Sequence, residues 1–320
     1  MTQRSGQELI DRYKRNYGIP LESDITEGMI LRHWELERRL RGELLESTPD
    51  NRWDVFERCY GELYGELCWL TELTNAIQAD PPHVRFGNWV NLIGSPPQKI
   101  YEVGSGKGEL IGYLASCGNQ CKASEITDER GEKWASAHPN LTWGVSDGIH
   151  LGRFEPAGHY DAVISNVVIE HLHPDDLLNH FRGVHTILKH GGRYFVTTSH
   201  VSVGPSDISS VFGRNSPMGM HLKEYTYREI ACLLKEAGFF RISSVLRLPI
   251  RIRRLLGGHT MTRVSSSYLS YLCVVEDVIS ILPRQYQRRL ASRVLKLILF
   301  APNIMVVGTK PEAPMSGDTG

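Results

Sequence analysis

Residues 102–108, Glu-Val-Gly-Ser-Gly-Lys-Gly, bring a carboxylate and three alternating glycines to one point of the chain. Without a Cβ, the backbone at Gly104, Gly106 and Gly108 can turn through φ > 0 and come close to a ligand, with Ser105 adding a hydroxyl. Glu125 is a second acid at the end of an apolar run, and a carboxylate can accept hydrogen bonds from both hydroxyls of a ribose diol. The alternative is that Glu125 caps a helix beginning near Asp128. Further along, Glu170 and His171 are adjacent groups able to take up a proton, the imidazole near neutral pH. Glu170, His171, His173 and Asp175 are also metal-ligand types. Adjacent ligands on a tight turn rarely share one ion, however, so no metal is expected. An Asp-Gly turn at Asp147-Gly148, and His173-Pro174-Asp175-Asp176 as a helix start, are structural readings of the same residue types.

The elements that position these groups alternate between strand and helix. Ile100, Tyr101 and Val103 are β-formers, and Leu110, Ile111 and Leu114 fall at helical spacing. Strand, glycine turn and helix together aim a helix N-terminus at a bound molecule. The turn is not a dinucleotide fingerprint, because Glu109 stands where the third glycine of G-x-G-x-x-G would be one residue on. Nor is it a P-loop, because Gly108 follows Lys107. A second strand runs over 121–126, ending at Glu125 and Ile126; a third ends in Ser146-Asp147-Gly148; a fourth spans 162–165 and ends at Asn166 and Val167. Asp161 reads as structural. A helix over 175–189 and a strand over 193–198 complete the alternation. Open α/β sheets hold ligands at the carboxyl ends of such strands.

Four motifs in order give the stretch 98–200 a specific resemblance. Ile-Tyr-Glu-Val-Gly-Ser-Gly-Lys-Gly at 100–108 resembles motif I of the class I S-adenosylmethionine (SAM) methyltransferases. Ser146-Asp147-Gly148, the run Tyr160 to Leu172 with its Glu-His-Leu, and Leu-Lys-His-Gly-Gly-Arg-Tyr-Phe-Val at 188–196 resemble later motifs of that family, small-molecule enzymes in particular. The resemblance implies SAM as cofactor and S-adenosylhomocysteine (SAH) as product. It places Glu102 toward the methionyl end, Gly104, Ser105, Gly106 and Gly108 against the cofactor, and Glu125 with Ile126 at the ribose. Ser146, Asp147 and Gly148 fall at the adenine, Asn166 and Val167 at the end of strand four, and Glu170 or His171 near the transferred methyl group. The implied fold is α/β: a doubly wound, seven-stranded Rossmann-like methyltransferase sheet with its last strand antiparallel. Here an N-terminal helical extension precedes it and a helical insertion precedes the last strand, which departs from the minimal family pattern.

The expected organisation is a helical extension or lid over 1–97 and a SAM-binding domain over 98–310. The latter contains a substrate loop at 200–225 and a helical insertion at 265–300; a disordered tail follows at 311–320. In the extension, Asp24 and Glu27 have capping-box spacing before Met29, Leu36, Leu40 and Leu44. Trp53, Phe56, Tyr60, Leu63, Leu67, Leu70, Thr74 and Ile77 form one helical stripe, read as core packing or, through Tyr60, Tyr64 and Trp69, as a substrate wall. Pro81-Pro82 ends that helix. Thr226 and Glu229 form a second capping box, 241–248 reads as strand six and 303–310 as the last strand. His200 and His221 flank the substrate loop as weaker base candidates.

Lys plus Arg and Asp plus Glu are equal at 36 each in 320 residues, so no basic field points to nucleic acid. There is no signal-peptide core and no run of the roughly 18 apolar residues that span a membrane. Six scattered cysteines without a C-x-x-C pair fit a reduced, cytoplasmic setting. The expected partner is a small-molecule acceptor, methylated on oxygen or nitrogen, with homo-oligomerisation through the helical extensions. The alternatives are C-methylation of an anionic, prenyl diphosphate-like substrate held by Arg247, Arg251, Arg253, Arg254 and Arg263, or a non-catalytic SAM-fold binding protein.

Overall fold

The computed structural model describes residues 6–75, 80–127, 131, 136–247, 262–283, 286–287 and 303–313. Its strands are β1 (Lys99–Val103), β2 (Gln120–Glu125), β3 (Leu141–Val145), β4 (Tyr160–Asn166), β5 (Leu188–Ser199), β6 (Arg241–Arg247), β7 (Thr262–Ser265) and β8 (Asn303–Thr309). They form one sheet in the order β3-β2-β1-β4-β5-β8-β6-β7. β1 to β5 pair in parallel, and β8 runs antiparallel between β5 and β6. This is the doubly wound sheet with a reversed last strand that the resemblance implies. Among the described residues it has eight strands rather than seven, because β7 adds an antiparallel edge to β6. Four residues are too few to show a strand period, so the sequence carries no strand signal at Thr262–Ser265, just before the helical block.

Helices cover both faces. On one lie α5 (Pro82–Ile93) and α6 (Glu109–Ser116), which bury Trp89, Leu92, Leu110 and Leu114 against Ile100 and Ile164. On the other lie α7 (Leu177–Ile187), α8 (Tyr227–Glu236) and α9 (Ser266–Ser280), with Phe181, Val184, Ile230, Leu234 and Leu272 in the core. The Thr226–Glu229 capping box forms as read. Glu276 interrupts the apolar run of α9 because it does separate work: buried, it accepts from Tyr227 N and Arg228 N, each at 2.8 Å. A carboxylate there meets the positive end of the α8 dipole. Asp161 is structural too, accepting from Lys99 N at 2.8 Å.

The chain before α5 forms α1 (Gly6–Tyr17), α2 (Glu27–Glu46), α3 (Arg52–Glu66) and α4 (Cys68–Asn75). These helices pack over the 200–225 loop. Ile30 and Trp34 enclose Ile208 and Val211, while Leu40, Leu44, Phe56 and Leu63 enclose Met220 and Leu222. Arg52 fastens α3 to the segment after β4 through Asp176 at 2.8 Å, with both side chains largely buried. Three local expectations are corrected. The N-cap of α2 is Thr26, whose hydroxyl accepts from Met29 N, and not Asp24. The long stripe from Trp53 is two helices, parted at Leu67 just after Gly65, where glycine weakens a helix interior. Pro82 also opens a helix, occupying the first turn of α5, where a missing N–H costs nothing. Ile77, Asp128 and the arginines at 251, 253 and 254 lie outside the described residues. All six cysteines are free thiols. Among the described residues no helix is long and apolar enough to cross a membrane.

Candidate active site

Register lines up the strand ends. Val103 pairs with Ser124 on one side and Ser165 on the other, Glu125 with Val145, and Asn166 with Thr197. The loops leaving these strands therefore open on one edge, where α2 and α3 cover them. One cavity results, lined from the sheet side by Gly104, Gly106, Glu125, Ile126, Ser146, Asp147, Gly148, Val167 and His171. From the helical side it is lined by Glu37, Phe56, Tyr60, Leu63 and Tyr64, with Met220 from the loop. Of the sequence-assigned residues, Glu102, Ser105, Gly108, Asn166 and Glu170 are not on its wall. Trp69 is also elsewhere, stacked against Tyr13.

The glycine turn needs its glycines. Gly104, Gly106 and Gly108 have φ of 62°, 59° and 72°, in the left-handed region. A Cβ on Gly104 would stand 2.8 Å from Val168 Cγ2, whereas one on Gly106 would meet no atom within 4 Å. The space at Gly106 thus belongs to the cavity rather than to the protein. Ser105 N donates to Ser124 O at 3.0 Å and ties the turn to β2. Gly106 N donates to the Glu125 carboxylate. Val167 adopts φ 60°, a rare conformation for a β-branched residue. Such backbone strain clusters at functional sites. Its N–H is held by Thr197 O at 3.1 Å, and Thr197 Oγ1 donates to Asn166 Oδ1 at 2.7 Å.

Asp147 works first for its own turn: Oδ1 accepts from Ile149 N and His150 N at 2.8 Å, and Oδ2 lies 2.7 Å from His150 Nδ1. Gly148 O is held by His180, a buried residue of α7 that sequence reasoning passed over. Burial depresses its imidazole to about 4, so it stays neutral.

Glu102 lies beneath the turn, 2 % exposed, with Oε2 lacking any partner. Burial, and then the nearby Glu125 charge, push its carboxyl up from 4.5 to about 8. The folded chain therefore keeps a proton that the unfolded chain loses above its lower pKa. This group's contribution to stability is full below about pH 4.5 and declines as pH rises to about 8. We expect Glu102→Gln to remove roughly 3–5 kcal/mol of that decline, as an order of magnitude. Urea midpoints of wild type and variant at acid and mildly alkaline pH measure it; equal pH slopes would contradict it.

At the end of β4 the chain makes a 3-10 turn, Ile169–His171. His171 reaches the cavity wall, its Nδ1 donating to Met220 O at 3.0 Å. Glu170 is fully buried, with neither carboxylate oxygen hydrogen-bonded, and burial raises its pKa against a partly offsetting His221. His221 is buried beside it, Nδ1 3.2 Å from Glu224 Oε1. Burial lowers the His221 pKa, but the Glu224 hydrogen bond and the Glu170 and Asp207 charges outweigh it, and the net shift is upward. On the helical wall, the Tyr60 hydroxyl is buried without a partner, and burial holds its pKa well above the usual value. Glu37 is fixed by His33 Nε2 at 2.7 Å and by Met220 N at 3.0 Å. A trace of this was present in the sequence: His33 and Glu37 share the apolar stripe of Ile30, Trp34, Leu40 and Leu44, an unusual place for a histidine and an acid.

The donor set suits an adenosyl amino acid. The cradle at Gly106, where an added Cβ would meet no atom within 4 Å, and the acid Glu125 line the same cavity as the apolar Ile126 and Leu172, with the buried Glu102 off its wall.

Comparisons with known proteins follow that geometry. Residues 83–243, from within α5 into β6, match the sequence profile of a methyltransferase domain. A comparison with curated proteins gives no match. Among solved structures, a SAM-dependent methyltransferase from Archaeoglobus fulgidus is similar at 16 % identity, over 71 % of this chain and 92 % of that one, with a TM-score of 0.46. A phosphoethanolamine N-methyltransferase from Haemonchus contortus overlaps at 17 % identity, over 70 % of this chain and 53 % of its own, with a TM-score of 0.43. A SAM-dependent methyltransferase from Mesorhizobium loti gives 13 %, 70 %, 96 % and 0.43. Likenesses this distant add nothing to the assignment, which rests on the profile match over just over half of the chain. The chain belongs to the methyltransferase domain family and is a SAM-dependent methyltransferase.

Proposed function

We propose that the enzyme methylates an oxygen or nitrogen of a small molecule lodged between the glycine turn and helix α3. The observation that carries this reading is Tyr60, a residue of the helical wall of the cavity whose buried hydroxyl has no partner. A buried polar group without a partner is costly, and an acceptor's polar atom would satisfy it. Phe56, Leu63 and Tyr64 beside it give an apolar, aromatic surround, which favours a compact molecule over a polynucleotide.

SAM, when bound, supplies an electrophilic methyl group: the acceptor's lone pair forms the new C–O or C–N bond as the C–S bond breaks toward sulfur, leaving SAH. The protein's task is placement and exclusion of water. Gly104 and Gly106 admit the cofactor to the backbone, Glu125 and Ile126 meet its ribose, and Ser146 to Gly148 wall its base. Asn166 and Val167 set the end of β4, so that His171 stands where the acceptor's proton departs. Holding reactants in line can supply ~7–11 kcal/mol of the barrier. Glu170 is sealed behind His171 and acts through its surroundings rather than on the acceptor.

The test is a panel of small hydroxyl and amine compounds incubated with methyl-labelled SAM and read by product mass and fragmentation. The expected product carries one added methyl on oxygen or nitrogen. A methyl on carbon would move the reading to the C-methylation alternative. Labelling of RNA or protein with no small-molecule product would contradict it.

A further inference from the structure

Glu170, His171 and His221 come together although His221 lies on a different loop. One ligand atom from each lies within 4.8 Å of the others, and no other such group of His, Cys, Asp and Glu occurs among the described residues. The two imidazoles meet edge to face, with ring centroids 4.9 Å apart.

The surroundings of each group match those of a metal ligand. Metal-binding histidines usually donate one ring N–H to a carbonyl or carboxylate, which fixes the tautomer and turns the other nitrogen to the ion. His171 Nδ1 does this to Met220 O at 3.0 Å, and His221 Nδ1 to Glu224 Oε1 at 3.2 Å. Glu224 is itself held, accepting from Ser206 N at 2.6 Å. Glu170 supplies the independent observation: a carboxylate 0 % exposed, with both oxygens unpartnered. Buried carboxylates are normally paired or bound to metal.

We propose that Glu170, His171 and His221 form a binding site for one divalent transition-metal ion of the zinc type. Two imidazoles and a carboxylate suit zinc and its neighbours. Bonds of about 2.0–2.1 Å in a tetrahedral site set ligand atoms about 3.4 Å apart, so the widest pair closes by roughly 1–1.5 Å on binding. Glu170 and His171, neighbours on one turn, would not hold an ion by themselves. The third ligand arrives with the 200–225 loop, pinned there by Met220 and Leu222 under α2 and α3. Three protein ligands leave a fourth position, and His171 is the one that lines the cavity. Resting on the reading above for the cofactor and the acceptor, this position faces the acceptor and favours a hydroxyl; with His171 held as a ligand, the proton of the bound hydroxyl passes to water rather than to the imidazole.

The test titrates chelator-treated, full-length protein with Co2+ and Zn2+, reading the visible Co2+ spectrum and bound Zn2+ after dialysis, with SAH affinity measured alongside. One equivalent bound at micromolar or tighter affinity is expected, with an intense tetrahedral Co2+ band. His221→Ala and Glu170→Gln should each weaken binding at least tenfold, while SAH affinity stays within threefold, showing that they fold. Absence of stoichiometric binding by wild type, or unchanged binding in both variants, would overturn the site. Metal binding without SAH binding would leave the site standing and remove the cofactor reading instead.

Discussion

Arginine in place of Gly106 is expected to abolish SAH binding, by at least 100-fold, in a protein that still folds. What each glycine faces decides the outcome. At Gly106 an added Cβ meets no protein atom within 4 Å. The cost to the apoprotein is then mainly the left-handed backbone, about 1–2 kcal/mol. The arginine side chain would instead enter the cavity proposed for the cofactor. Gly104 is the informative contrast, because a Cβ there collides with Val168 at 2.8 Å. Gly104→Ala should lose stability as well as affinity. Thermal melts paired with equilibrium dialysis of SAH separate the two. Retained SAH binding in folded Gly106→Arg would mean that the ligand lies elsewhere.

His171→Ala is expected to lower kcat by roughly 100- to 10 000-fold, the range for losing a group that takes the acceptor's proton or, as a ligand, holds the ion that releases it. SAH affinity should stay within about threefold, since the imidazole is not among the groups proposed to meet the cofactor. The side chain lines the cavity and is oriented through Met220 O. Its removal takes away the acceptor's neighbour without unbinding the glycine turn. Initial rates over a range of acceptor concentrations, with the acceptor found by the labelled-SAM panel, separate kcat from KM. A variant that raises KM alone would show that His171 only binds. An unchanged kcat would exclude it from the chemistry.

The sheet was more legible in the sequence than the pocket it serves. β1 through β5 follow from apolar runs cut by glycines and acids, and the order of those signals fixed the parallel half of the sheet. The last strand at 303–309 was legible as well, because Ile304 to Val307 is a compact β-forming run at the end of the pattern, whereas its reversed direction followed only from the family resemblance. The short edge strand Thr262–Ser265 was not, since it has too few residues to carry a period. The helical wall was legible only as burial. The three- and four-residue spacing of Phe56, Tyr60 and Leu63 says that a face is covered, and not that a cavity and the glycine turn lie opposite. Likewise, Glu170 and His171 were visible as a pair. His221 joins them through a loop folded back beneath α2 and α3, and no local spacing records that return. Residues beneath the site, such as His180 and Glu102, do their work through burial, which a linear pattern shows least.

Isothermal titration of the wild-type protein with SAH tests the central assignment most directly, because it needs no acceptor and no metal. The structure predicts one site per chain with micromolar affinity. Absence of binding up to millimolar SAH would contradict the assignment of the cavity at Gly104 and Gly106 as the cofactor site.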